Sequence, residues 1–169
     1  MRYALLFLLA TIVSACGFTP IYKKADGAHV PDATANIYIP PVTNFDGPHG
    51  VELRNELMAM LTPRGRPVQA EYVLNISMTQ PRIAGYTLRP DGTESSYMVS
   101  IDADYTLSSM SAAGNIEIRR ARVGAMQPYT ILKDQYSTEM LKDEAIRLVI
   151  KNIANQIRIG VITAIAGRQ

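Results

Sequence analysis

Cys16 is the only thiol in the chain, and it stands where a thiol can be chemically modified. Met1-Arg2 gives a positive start, Tyr3–Val13 an apolar run, and Val13-Ser14-Ala15 a small-residue ending directly before the cysteine. That is the layout of a secretion signal. The other side chains with chemical potential are cations. Arg119, Arg120 and Arg122 crowd one segment, Arg82, Arg89 and Lys133 lie near segment ends, and Arg54-Asn55 sit inside an apolar repeat. Guanidinium groups suit bidentate bonds to carboxylates and phosphates. Acid–base chemistry has thinner material. Asp102 and Asp104 share a spacing of two, and His49 and Glu56 lie near one another in sequence, but neither pair completes a nucleophile or proton-relay set. One cysteine and two separated histidines, His29 and His49, make no zinc constellation. There is no Gly-rich phosphate loop and no G-x-S-x-G elbow. No catalytic residue, metal or cofactor is expected, and the protein is not expected to be an enzyme.

The ending at Cys16 resembles a lipobox. In that class of protein the cut falls between Ala15 and Cys16, the thiol takes a lipid and the new amino end is acylated. Each buried methylene adds about 0.8 kcal/mol, so several chains anchor firmly where one holds reversibly. Tyr3–Ala15 falls short of the roughly 20 apolar residues a spanning helix needs. Gly17 rather than aspartate follows the cysteine, which for this class implies the outer membrane, with the domain facing the periplasm. The division expected is a signal peptide over 1–15, a lipidated tether over 16–35 and one domain over 36–169. The tether reading rests on Gly17, Pro20, Gly27 and Pro31, which interrupt regular structure. Formal charge is close to balanced, with 17 basic against 15 acidic residues, so no nucleic-acid partner is expected.

The elements that must position these side chains follow from periodicity. Asn36–Pro40 reads as a short strand ended by Pro40-Pro41. Leu53, Leu57 and Leu61 recur at four-residue spacing and predict a helix over 50–61, with Asp46 as a candidate cap and Pro48 near the first turn. Glu71–Gln80 and Tyr97–Leu107 alternate and predict strands; Val99, Ile101, Ala103, Tyr105 and Leu107 turn inward, and Asp102 and Asp104 outward. Gly85–Ser96 between them reads as a polar loop turning at Arg89-Pro90-Asp91-Gly92. After a second loop over 108–114, Asn115–Met126 is a further strand. Alternation there would put Arg120 and Arg122 on one face with Ile116 and Ile118, and Arg119 on the other. That mixed pattern calls for a bulge or register change. Ile146, Ile150, Ile153 and Ile157 predict a long final helix over 138–159. The fold expected is α/β (α+β): a two-layer sandwich, two amphipathic helices on one face of a four-stranded, mostly antiparallel sheet, in the order β-α-β-β-β-α.

Three pieces in this order resemble the LptE lipopolysaccharide-assembly lipoprotein family in an alphaproteobacterial form. They are Cys16-Gly17-Phe18-Thr19-Pro20-Ile21-Tyr22, Leu53-Arg54-Asn55-Glu56-Leu57, and Asp143-Glu144-Ala145-Ile146-Arg147 leading to Ile153, Ala154 and Ile157. The resemblance covers essentially the whole mature chain. It implies a non-catalytic lipoprotein that plugs and helps assemble the outer-membrane barrel LptD, in a 1:1 complex, and takes part in lipopolysaccharide transport. Its partners would then be LptD, lipopolysaccharide and, through acylated Cys16, outer-membrane lipid. Under the same resemblance, Arg82, Arg89, Arg119, Arg120, Arg122 and Lys133 are candidate lipopolysaccharide-binding residues, and Arg54 and Asn55 candidate barrel contacts. The bland alternatives stay open. The strand arginines can be edge protection or can pair with Asp102 and Asp104, Arg54 can be a solvated helix charge, and Asn55 can brace a neighbouring loop. Tyr97, Tyr105, Tyr129 and Tyr136 read as core or interface aromatics rather than a sugar platform. A free periplasm-facing lipoprotein that binds peptidoglycan or lipid is the competing function.

Overall fold

The computed structural model describes residues 36–45, 47–88, 90, 94–111 and 114–168. Cys16, Arg89 and Asp46 lie outside them. Five strands and two helices run in the order β1 (Ile37–Tyr38), α1 (Pro48–Leu61), β2 (Tyr72–Met78), β3 (Arg82–Leu88), β4 (Glu94–Ser111), β5 (Gly114–Thr130) and α2 (Gln135–Ala166). Both helices pack on one face of the sheet, as the two amphipathic patterns require. α1 buries Leu53, Leu57 and Leu61; α2 buries Ala145, Ile146, Val149, Ile150, Ile153, Ala154, Ile157, Gly160, Val161 and Ile165. These close over Leu74, Ile76, Met78, Val99, Ile101, Ala103, Tyr105 and Leu107 from the strands. By length and mean hydropathy α2 matches a membrane span. Its apolar stripe is spent on the sheet, as in the core helix of a two-layer domain.

β4 is the spine. It has 18 residues, and from Ser96 to Ser111 it pairs antiparallel with β5 along one side. Along its other side lie β2, opposite 103–109, and β3, opposite 94–100. β2 and β3 are therefore one interrupted strand, broken at Gln80-Pro81, because proline cannot donate to a ladder. Thr79 carries the register across the break. Its N–H and hydroxyl both donate to the Asp102 carbonyl, at 2.8 and 3.1 Å, and its hydroxyl accepts from the Asp102 N–H at 3.0 Å. β1 pairs parallel with β2.

Four expectations are corrected. The sheet has five strands, because Arg82–Leu88 forms β3, taking in the start of the expected polar loop 85–96 and the three residues before it. Every β3 residue is exposed, so no inward–outward contrast marked it. β4 begins at Glu94 and runs to Ser111, and β5 reaches Thr130 through Pro128, where the missing N–H is harmless at an edge that no other described strand pairs with. α2 is longer at both ends than 138–159. Asp134 caps it, accepting from the Ser137 N–H at 2.8 Å. Lastly, the face of Ile118 is corrected by the bulge that the arginine segment calls for, which is present as expected. The register steps between Leu107, opposite Arg119, and Ser108, opposite Glu117. Ile118 packs against the core on the helix side, so it does not share a face with Arg120 and Arg122.

Candidate functional site

The bulge sorts the cations of β5. Arg120 and Arg122 stand on the outer, helix-free face of the sheet, opposite Thr106 and Asp104. Arg122 grips Asp104 with two parallel bonds, Nε to Oδ1 at 2.8 Å and Nη2 to Oδ2 at 2.9 Å. This bond is the main reason the Asp104 carboxyl is held below its ordinary value and the Arg122 guanidinium above its own. Arg120 Nη2 donates to Glu117 Oε2 at 2.7 Å, and Arg82 from β3 pairs with Asp102. The Asp102 carboxylate lies over Gly124, where an added Cβ would sit 2.5 Å from Oδ1. Three of the expected anion-binding arginines thus answer three carboxylates. The outer face is polar and locally neutral rather than a cationic patch.

Arg119 goes the other way. Its Nε–H donates to the Tyr105 hydroxyl at 3.0 Å, on the helix side of the sheet. Tyr105 is 2% exposed, and its hydroxyl reaches out through a notch in α2 at Gly160. A Cβ at Gly160 would collide with that oxygen. Among the described residues Arg119 has no carboxylate partner. Helical spacing alone could not reveal the notch, since Gly160 breaks no pattern in an otherwise apolar stripe.

Arg54 and Asn55 exchange the bland roles expected of them. Arg54 Nε donates to the Ile39 carbonyl at 2.9 Å, so it braces the segment after β1 rather than standing in solvent. Asn55 is exposed and lines a shallow groove with Val51, Glu52 and Glu56 of α1 and Arg147 of α2. Lys133 lies in the bend between β5 and α2, exposed and without an ion-pair partner among the described residues. Three large apolar side chains near it in the chain are exposed. Leu132, Tyr136 and Met140 are 45%, 74% and 52% exposed. Tyr97 and Tyr129 stack across β4 and β5 with ring centroids 5.8 Å apart, and burial raises the Tyr129 hydroxyl above its ordinary pKa. The sequence singled out Lys133 and, as a core or interface aromatic, Tyr136; Tyr136 is not a core residue, and Met140, on the outer face of α2, carried no signal. Among the described residues no group of three His, Cys, Asp or Glu side chains could hold a metal ion.

A family model described as LptE, lipopolysaccharide-assembly, matches residues 34–158. No curated protein matches the chain in sequence. Solved structures resemble it in fold. A candidate lipoprotein from Caulobacter crescentus superposes with a TM-score of 0.61 at 17% identity, over 82% of this chain and 96% of that one. Rare lipoprotein B from Shewanella oneidensis gives 0.56 at 10% identity, over 75% and 93%. A minor lipoprotein from Acinetobacter baumannii gives 0.50 at 20% identity, over 75% and 90%.

Proposed function

Because this chain belongs to the LptE lipopolysaccharide-assembly family, we propose that it is the lipid-anchored partner of the outer-membrane barrel LptD, filling the barrel lumen and helping it assemble. In this reading Cys16 carries the acyl chains and tethers the domain to the periplasmic side of the outer membrane. The role is non-catalytic: the domain occupies space, presents matched polar groups and guides an amphipathic lipid.

The observation that carries the reading beyond the family is the outer sheet face. A polar face whose charges are already paired can lie against a polar barrel wall without leaving an unmatched ion between the two surfaces. Here Arg82, Arg120 and Arg122 each meet a carboxylate of the same face. Lipopolysaccharide has anionic groups beside acyl chains. The end of the molecule where Lys133 stands among exposed Leu132, Tyr136 and Met140 offers a matching pair of surfaces.

The test is purification of the full-length protein from its own membranes in mild detergent. The reading expects an equimolar complex with the LptD barrel that survives high salt. Recovery of the lipoprotein alone at every salt concentration would reject it.

A further inference from the structure

One long boundary of the sheet has no neighbour among the described residues. Thr79 takes both backbone groups of Asp102, so Asp102 has none left for Gly124, which lies directly across from it on β5. Antiparallel strands alternate hydrogen-bonded and non-bonded pairs. Gly124 and its alternate neighbours Arg120, Arg122 and Met126 therefore turn their N–H and C=O groups outward. Among the described residues the one group to meet this row is the Gln156 side chain of α2, whose Nε2 donates to the Gly124 carbonyl at 3.0 Å. Pro128, in the same alternation, removes a donor and closes the row at that end. Natural sheets usually blunt such edges; here, among the described residues, no strand pairs with the stretch from Arg120 to Met126.

The charge beside that stretch selects what can cover it. β5 carries Arg119, Arg120 and Arg122 against one acid, Glu117. On the outer face the latter two arginines already have carboxylates. On the helix side Arg119 has none among the described residues, and the Tyr105 hydroxyl holds its Nε so that the two Nη groups remain for a bidentate partner. The glycine at 160 keeps the helix clear of this arrangement. A second copy of the chain would bring arginine against arginine.

We infer that the open edge of β5 from Arg120 to Met126 receives an extended acidic segment of another protein as an added strand, with one of its carboxylates seated on Arg119. Main-chain bonds supply the affinity of strand addition and the side-chain seat supplies register. The inference does not depend on the barrel reading, because it is argued only from the backbone row of β5 and from Arg119.

The probe is an octapeptide of four Glu-Thr repeats added to the full-length lipoprotein in detergent micelles, with amide exchange of Arg120, Arg122, Gly124 and Met126 followed individually. These amides should exchange freely in the isolated protein and slow at least about tenfold with the peptide, as paired edge amides do. The same peptide N-methylated at alternate residues, or one of Lys-Thr repeats, should have no effect. Arg119→Gln should weaken the peptide about tenfold, the scale of a charge-assisted bond. Met126→Pro, a change matching the proline already tolerated at 128, removes an edge donor without touching Arg119 and should weaken it too. Amides protected before any addition would overturn the inference. Exposure on dilution would then assign the edge to a second copy, and exposure on deleting residues 17–35 to the chain's own leader. Slowing by lipopolysaccharide alone, with none by the acidic peptide, would overturn it in favour of a lipid anion.

Discussion

The Tyr105 hydroxyl and Gly160 are in direct contact across the helix–sheet interface, and the fit leaves no room for a side chain on the helix. The contact fixes where α2 lies along β4, and it leaves the tyrosine oxygen within reach of Arg119 on β5.

Gly160→Ala should therefore destabilise the domain even though alanine favours helices by roughly 1 kcal/mol over glycine. Overpacking costs about 1–3 kcal/mol. Tyr105→Phe in the same chain removes the colliding oxygen and should recover most of the loss. Thermal melts of the two single variants and the double variant give the coupling. Additive effects would show that the contact is slack.

Asp104 gives a pH signature. The Arg122 bond holds its carboxyl below the ordinary value. A depressed carboxylate stabilises the fold at all pH above its unfolded value, about 3.9, and the contribution is lost as pH falls through the lower folded value. The pair is exposed, so the effect on stability is small. The titration midpoint is the cleaner readout. Carboxyl NMR should place Asp104 below a free aspartate, and Arg122→Gln should move it up. An unchanged midpoint in the variant would contradict the bidentate bond.

Arg54 and Asn55 are adjacent and should behave oppositely. Arg54→Ala strips a charged donor from the Ile39 carbonyl and should cost about 1–3 kcal/mol by urea unfolding. Asn55→Ala, at an exposed position, should stay within about 0.5 kcal/mol. If Asn55 touches the barrel, its substitution lowers the yield of complex without changing the melt. A stability loss at Asn55 equal to that at Arg54 would reverse the assignment.

Lys133 and Arg122 separate free from committed cations. Lys133→Glu should weaken lipopolysaccharide binding by the purified protein about tenfold, the scale of one charge-assisted contact. Arg122→Gln should leave binding near its starting value, because that guanidinium is already held by Asp104. Equal losses would place the lipid on the outer sheet face instead.

What the chain discloses before folding depends on contrast between its two faces. Leu53-Leu57-Leu61 and the Ile146–Ile157 series bury one stripe each, and the alternation of Val99–Leu107 buries one face, so those elements were readable. β3 was not, because Ile83, Tyr86 and Leu88 are exposed at 44%, 61% and 64% and its polar and apolar residues meet the same solvent. The bulge was readable as a conflict, since three arginines and two isoleucines cannot alternate cleanly. Its outcome was readable in part: pairing with Asp104 on the adjacent strand stood among the alternatives and Arg122 makes it, whereas the bond of Arg120 to Glu117 within β5 follows only from where the register step falls. Arg119's link to Tyr105 needed the notch at Gly160, which joins residues far apart in sequence through packing alone.

The central claim is a role in placing lipopolysaccharide at the cell surface, and depletion of this protein in its own cell tests it most directly. Pulse-labelled lipopolysaccharide should then stop reaching the outer leaflet and remain inaccessible to an externally added modifying enzyme, while re-expression of the intact chain restores it. Normal surface arrival in depleted cells would contradict the account.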